Sequence, residues 1–262
     1  MSAAPNKKPS VALGLILILL LLAAVVFGGM WVVQAAFTPR MSDARAAAEA
    51  ASAPAQTPVQ QTEPDVQEPE PQEPKPFALP KPYLTMRRMY AYLTKHRCID
   101  RDVVTAFVQE KLLYEDDPHH NCVFVGLDEN GETRHAHLRS TGSQGKVFRI
   151  NVESSDIKHS FHKNGTDRSL YVFEAPIDLL SHITLYPAGW LEHSYVACCG
   201  TSIQPVLERL RQNPKLDTVY LCLDNDEAGE DACDGMLDTL EDMGYDVERL
   251  RPEGKDWNDD LR

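Results

Sequence analysis

The sequence predicts an α/β fold: a mostly parallel sheet with helices on both faces, preceded by a small α+β region and an N-terminal apolar segment. Three observations predict it. From residue 169 onward, short apolar runs alternate with amphipathic stretches in the order strand, helix, strand, helix. Between residues 83 and 165, helical spacing of apolar residues gives way to a hairpin pattern. Residues 11–33 form a nearly unbroken apolar run without a charge.

The balance of charge narrows the function classes. Among 262 residues, 39 are Asp or Glu and 26 are Lys or Arg, a formal net charge of -13. A non-specific nucleic-acid binder would carry a basic face to neutralise phosphates, and this chain does not read as one. Metal-assisted phosphate chemistry stays open, because there the ion supplies the positive charge. The six cysteines are Cys98, Cys122, Cys198, Cys199, Cys222 and Cys233. None forms a C-x-x-C pair, so no structural zinc is expected. Cys122, Cys198, Cys199 and Cys222 sit in apolar strand-like runs as buried free thiols, which favours a reducing compartment.

Taken in order, residues 1–10 are a tail carrying Lys7 and Lys8. Residues 11–33 are long enough to cross a bilayer core of about 30 Å at about 1.5 Å per residue. The run exceeds a signal-peptide core of about 7–15 residues, so a single-pass transmembrane helix anchoring the chain is expected. Lys7 and Lys8 favour an N-inside orientation, but Arg40 and Arg45 nearly balance them. The globular part is expected in the cytoplasm. Residues 34–82 shift to Ala, Pro, Gln and Glu, including Glu68-Pro69-Glu70-Pro71-Gln72-Glu73-Pro74-Lys75-Pro76. Such a stretch has little to bury and reads as a disordered, partly extended linker, with a short Ala-rich helix at 41–53.

Residues 83–165 read as the α+β region. Met86, Met89, Tyr90 and Leu93 recur at helical spacing, and Asp100 caps a second helix carrying Val103, Val104, Phe107, Val108 and Leu112. Residues 122–127 form a strand, Asp128-Glu129-Asn130-Gly131 a turn, and residues 133–139 the partner strand. His135 and His137 share one face of that partner. With no third ligand nearby, they are expected on a solvated strand face. Val147-Phe148-Arg149-Ile150 resembles one more strand.

Residues 166–262 hold the alternating pattern. Strands are expected at 169–173, 195–199, 218–223 and 245–250. Helices carry Ile177 to Leu185, then Val206, Leu207 and Leu210 behind a Ser202 cap, then Ala232, Met236, Leu237 and Leu240 with Gly244 as the stop. Ligands of open α/β sheets gather at the carboxyl ends of strands. Glu174 ends the first strand and Asp224 the third, so both are expected at one edge. Asp224 and Asp226 offer two hard oxygen donors suited to Mg²⁺, with water and phosphate completing the shell. A solvated turn followed by a helix cap stands beside that reading.

Three motifs then resemble the Toprim domain of bacterial primases and topoisomerases. They are Glu174-Ala175-Pro176-Ile177-Asp178, Asp224-Asn225-Asp226-Glu227-Ala228-Gly229 and Lys255-Asp256-Trp257-Asn258-Asp259. The last is similar to the Lys-Asp-x-Asn-Asp segment that ends many primase-like Toprim units. Upstream, residues 83–165 resemble the domain of unknown function that precedes Toprim in proteins of plasmids and conjugative elements. That likeness is carried by Asn121-Cys122-Val123-Phe124-Val125-Gly126-Leu127-Asp128 and Ser155-Asp156-Ile157-Lys158-His159-Ser160-Phe161. One departure is Ala175-Pro176, where many Toprim units place Gly after the Glu; Pro at a first helical turn still leaves Glu174 at the strand end.

The resemblance implies a Toprim-like fold and a Mg²⁺- or Mn²⁺-dependent nucleotidyl-transfer or phosphodiester activity on DNA or RNA. The setting it implies is mobile-element replication or conjugation, with replication or conjugation proteins as partners. It makes Asp224 and Asp226 metal ligands, Glu174 a general acid/base and Asp178 a third acid. Lys255 would meet a phosphate, while Gly229, Asp256, Asn258 and Asp259 complete the edge. The alternative is a membrane-tethered Toprim module that binds nucleic acid or a conjugation protein without turnover.

Overall fold

The computed structural model describes residues 75–142 and 147–262, all within the second of two compact units, Pro69–Arg262. The apolar run at 11–33, the Ala-rich helix at 41–53 and the linker up to residue 74 lie outside the described residues. The membrane-anchored placement expected from the sequence is corrected here. No helix among the described residues is long and apolar enough to cross a membrane. The longest, Glu227–Asp242, has 16 residues and is dense with acids, and the apolar Pro176–Leu185 has only 10.

Helix α1 (Arg87–Ala91) runs into a π-helical turn, Tyr92–His96, and is followed by α2 (Arg101–Gln109). Asp100 caps α2 as expected: its Oδ1 accepts from the Asp102 and Val103 amides at 2.7 and 3.3 Å. Strands β1 (Leu113–Glu115), β2 (Cys122–Leu127), β3 (Thr133–Arg139) and β4 (Arg149–Asn151) form an antiparallel sheet in that order. The β2–β3 hairpin is the expected one. Gly131 takes φ +76° and Asp128 Oδ1 accepts from the Asn130 and Glu132 amides. Strand β1, with three residues, is too short to show a period and was not foreseen.

The expectation for His135 and His137 is overturned, for both are buried. The chain from Val152 to Ser160 returns across their face: Val152 N–H donates to the Ala136 carbonyl and Asp156 N–H to that of Arg134. Gly126, the cross-strand partner of His135, makes the close approach possible. A Cβ there would stand 1.7 Å from the His159 carbonyl oxygen. His137 Nδ1 pairs with Asn151 Oδ1 at 2.7 Å, while neither ring nitrogen of His135 has a partner.

The second sheet contains β5 (His162–Lys163), β6 (Ser169–Phe173), β7 (Ser194–Ala197), β8 (Thr218–Leu221) and β9 (Asp246–Arg249), ordered β5-β7-β6-β8-β9. All neighbours are parallel except β5 with β7. Between them run α3 (Pro176–Leu185), α4 (Gln204–Gln212) and α5 (Glu227–Asp242), and α6 (Trp257–Leu261) follows β9. Ser202 Oγ accepts from Gln204 N–H, but the cap residue of α4 is Ile203. Gly244 at φ +89° ends α5 as expected.

Period-2 alternation sorts the strand residues between two cores. Leu170, Val172, Val196, Cys198, Val219 and Leu221 pack with Val206 and Leu210 of α4 and Met236 and Leu240 of α5. Phe173, Tyr195, Ala197 and Cys222 face the other way, toward α3 and Trp257. That second core also takes in Met89, Leu93, Phe107 and Phe124, so the antiparallel region and the parallel sheet share one interior. All six cysteines are free, with Cys98 exposed and Cys199 half-buried.

Candidate active-site edge

Topology sets the position of the site. After β6 the chain crosses through α3 on one face to β7. After β8 it crosses through α5 on the other face to β9, on the opposite side of the sheet. The outgoing loops of two adjacent strands therefore diverge, which opens a crevice at their carboxyl ends. Glu174 follows β6 directly. Asp224 follows β8 by three residues, since the ladder ends at Leu221 and two further buried residues carry the chain to the edge.

Asp224 is held by its backbone and left free at its side chain. The Arg249 guanidinium donates to the carbonyls of Leu221, Leu223 and Asp224, at 3.3, 2.9 and 3.1 Å. Gly229 lets α5 start against this segment, for a Cβ there would lie 2.1 Å from the Asp224 carbonyl oxygen. The Asp224 carboxylate is 5 % exposed and its Oδ1 has no partner among the described residues. Burial, then the charges of Glu174, Asp256 and Asp226, push its pKa up to about 7. Asp178, on the first turn of α3, is buried and driven well above the usual carboxylate range by burial and then by Asp224. Glu174 is raised by burial, with Arg149 Nη2 at 3.6 Å from its Oε1 acting in the opposite direction.

Asp226 is different. It caps α5, its Oδ1 accepting from Gly229 N–H at 3.1 Å, and Lys255 Nζ lies 3.2 Å from its Oδ2. Those two partners hold it below the usual carboxylate range. Lys255 is mostly exposed, and its carbonyl accepts from Asn225 N–H at 2.7 Å, stitching the 255 loop to the Asp224-Asn225-Asp226 turn. Asp256 caps α6 and lines the crevice, with its Oδ1 accepting from Asp259 N–H at 2.8 Å. Asn258 is 1 % exposed and works as a clamp. Its Oδ1 accepts from Arg97 Nη1 at 2.9 Å, and its Nδ2 donates to the Arg97 carbonyl and Ser181 Oγ. Its N–H donates to Asp178 Oδ1 at 3.3 Å. Asp259 does not join the crevice; it is exposed and its nearest cation is Arg262, at 4.0 Å.

The sequence reading missed the opposite wall. Arg97, Arg139, Arg149 and His137 line the crevice together with Asp178, Asp224 and Asp256. Tyr92 organises two of the arginines, its hydroxyl accepting from Arg97 Nε at 2.9 Å and Arg139 Nε at 3.1 Å. Arg139 and Arg149 are cross-strand partners on β3 and β4. Nothing in local spacing shows that pairing, because it depends on where β4 docks.

Among the described residues, three ligand-type atoms come within 4.8 Å of one another only at Glu129, His159 and Glu208, not at the acidic edge. There Arg211 donates to both carboxylate oxygens of Glu208 at 2.9 and 2.7 Å and lies 3.5 Å from Glu129. That trio is an ion-pair network in which Arg211 already holds both carboxylates. At the edge, Asp178 and Asp224 have no ion pair among the described residues.

Residues 171–261 match the family described as Toprim-like, and residues 91–167 match a family described as a protein of unknown function, DUF3991. The chain carries a Toprim-like domain preceded by a DUF3991 domain. The Toprim-like match contains Glu174, Asp178, Asp224, Asp226, Gly229 and the 255–259 motif, while Arg97, Arg139 and Arg149 come from the DUF3991 domain. The uncharacterized protein pXO2-78 of Bacillus anthracis is 26% identical over 198 residues, covering 67% of this chain and 57% of that protein. The uncharacterized protein MG010 of Mycoplasma genitalium is 28% identical over 95 residues, 36% of this chain and 41% of that one. The chain thus spans about half the length of the curated relatives it matches. Among solved structures, the primase fragment of the bacteriophage T7 primase-helicase is similar at 20% identity and a TM-score of 0.47, covering 63% of this chain and 66% of that one. The DnaG catalytic core is similar at 18% identity and a TM-score of 0.47, covering 68% and 69%.

Proposed function

We propose that the acidic edge is a Mg²⁺- or Mn²⁺-dependent site for nucleotidyl transfer or phosphodiester chemistry on DNA or RNA, serving the replication or conjugation of a mobile element. One observation carries the reading. Buried, mutually raised carboxylates stand at a topological switch point and face a wall of arginines across one crevice. The fit to a cation rests on Asp224, whose Oδ1 is buried without a partner and whose neighbours are further acids. Asp224 and Asp226 would hold the ion, with Asp178 beside them. When bound, the ion would polarise phosphate oxygens and favour an in-line displacement.

The chain's own residues supply the rest. Glu174, raised by burial, would take a proton from an attacking hydroxyl or return one to a leaving oxygen. Arg97, Arg139 and Arg149 present fork-shaped donors that suit phosphate oxygens. Lys255 would have to leave Asp226 for the carboxylate to ligate, and it is then placed to meet a phosphate.

Two ion pairs favour a second reading, a binding module without turnover. Lys255 sits on Asp226 and Arg149 approaches Glu174, so both acids already have cations. The two readings separate in one experiment on the full chain. Calorimetry with Mg²⁺ and Mn²⁺ is expected to show binding that Asp224→Asn abolishes and Glu174→Gln spares. Labelled nucleoside triphosphates and single-stranded DNA or RNA are expected to give a product that Glu174→Gln reduces by about 10²-fold or more. Nucleic-acid binding with no product in any metal selects the binding module, and no metal binding at all removes the catalytic proposal.

A further inference from the structure

A second cavity, which shares no lining residue with the acidic crevice, lies on the α3 face of the parallel sheet. Two of its lining residues, Tyr171 and Tyr195, belong to a row set by the strand register. Tyr171 on β6 is the ladder partner of Tyr195 on β7 and of Tyr220 on β8. Period-2 geometry puts all three side chains on one face with the rings stacked on one another, so Tyr171 and Tyr195 turn edges and hydroxyls to the cavity, which Tyr220 does not line. Centroids are 5.5 Å apart for Tyr171 and Tyr195 and 4.6 Å for Tyr171 and Tyr220, with interplanar angles of 27° and 25°. The wall is His182, Tyr186 and Trp257. His182 meets Trp257 edge to face at 4.8 Å and Tyr186 at 4.9 Å. Trp257 is fixed by its Nε1–H, which donates to the Cys222 carbonyl at 2.8 Å. Leu250 and Arg251 stand at the mouth of a space of about 400 Å³, within the range of about 300–1,000 Å³ usual for small-ligand pockets.

Polar groups in this aromatic space lack protein partners. Among the described residues, the hydroxyls of Tyr171 and Tyr195 make no hydrogen bond, although Tyr195 is only 2 % exposed, and neither is sealed from solvent. They open into the cavity. The Nδ1 of His182 is buried without a partner among the described residues. His193, also on the lining, is oriented by Asp167, whose Oδ2 lies 2.5 Å from its Nδ1. In the neutral ring that contact makes Nδ1 the donor and leaves Nε2 as an acceptor. A closed apolar core does not keep unpaired hydroxyls and imidazoles around a space of this size.

We propose that this cavity binds a nucleobase. A flat heterocycle matches the cavity wall of His182, Tyr186 and Trp257, as bases stack on aromatic side chains with little dependence on sequence. Its donor edge meets the acceptor Nε2 of His193, and its acceptor atoms meet the tyrosine hydroxyls. Arg251 joins Glu230 through one nitrogen and is about half exposed, so its remaining donors reach a phosphate attached to the base. The same chemistry is offered by a free nucleotide and by one base of a single strand. The cavity does not use the acidic edge, and its occupancy stands whether or not that edge turns over substrate.

The test is photo-crosslinking of the full chain with 8-azidoadenosine monophosphate and, separately, with a 12-nucleotide single strand carrying one 8-azidoadenine, followed by peptide mapping. Adducts are expected on Tyr171, Tyr186 or Trp257. Tyr186 is mostly exposed, so Tyr186→Ala keeps the fold; it is expected to weaken labelling about tenfold, the loss of one stacking partner. Arg251→Ala is expected to weaken labelling by both nucleotide probes and to leave adenosine competition unchanged. Asp224→Asn is expected to leave labelling at the cavity as it is. Labelling by the mononucleotide alone assigns a free nucleotide, and labelling by both probes assigns a base of a strand. Adducts confined to peptides of the acidic edge, no adducts with either probe, or wild-type labelling of Tyr186→Ala would each overturn the proposal.

Discussion

At the scale of single residues, the site is defined by charge left unbalanced. Asp224 and Asp178 are buried acids without cations of their own, whereas Asp226, two positions from Asp224, is stabilised by a helix N–H and by Lys255. His135 shows the same physics with the opposite sign. It is fully buried, its nitrogens have no partners, and burial lowers its pKa from 6.5 to about 4. A histidine depressed in this way binds fewer protons in the folded chain than in the unfolded one between those two values, so stability falls as pH drops from about 6.5 to about 4. His135→Leu is expected to leave stability at pH 7 unchanged or raised and to flatten the acid slope, read from urea midpoints across pH. A slope equal to wild type would show that His135 does not titrate in that window. The burial of His135 was not legible in the sequence. Alternation along Arg134 to Arg139 gives the face, but only the docked 152–160 segment says that the face is covered.

At the scale of elements, α6 is a five-residue helix with little stability of its own. It stays in place through what its side chains reach. Trp257 bonds the Cys222 carbonyl, and Asn258 ties together Arg97, Ser181 and Asp178. The Lys-Asp-x-Asn-Asp motif is therefore divided in role. Asp256 belongs to the crevice, Asn258 fixes the wall opposite it, and Asp259 points elsewhere. Asn258→Ala is expected to destabilise the chain by about 2 kcal/mol or more, because Arg97 and Ser181 would each lose a side-chain partner while the backbone bond to Asp178 stays. The cost is read by urea unfolding, and a change under about 0.5 kcal/mol would refute the clamp.

At the scale of the whole described unit, the two matched domains share one core. Phe161 lies between Phe107 and Phe124, at centroid distances of 5.3 and 5.2 Å, in the core that also holds Phe173 and Tyr195. Phe161→Ala is expected to cost about 3–5 kcal/mol. Tryptophan fluorescence and far-ultraviolet circular dichroism are expected to report one coincident transition in both wild type and variant. Two separated transitions would show that the DUF3991 and Toprim-like domains unfold independently. The shared core also explains the site, since only a rigid junction keeps Arg97, Arg139 and Arg149 facing the acids.

By itself the sequence determined the order of strands and helices from residue 169, the hairpin at Asp128, the caps at Asp100 and Gly244, and the meeting of Glu174 with Asp224 at one sheet edge. Those follow from local period, turn chemistry and the rule that parallel strands share a carboxyl edge. Tertiary structure decided which acids stay uncompensated, that Asn258 clamps while Asp259 turns away, and that an arginine wall closes the crevice. It also decided the row of Tyr171, Tyr195 and Tyr220, in which Tyr171 becomes the neighbour of residues 24 and 49 positions further along the chain only through strand register. Burial and long-range pairing depend on docking between distant segments, and no local pattern encodes that.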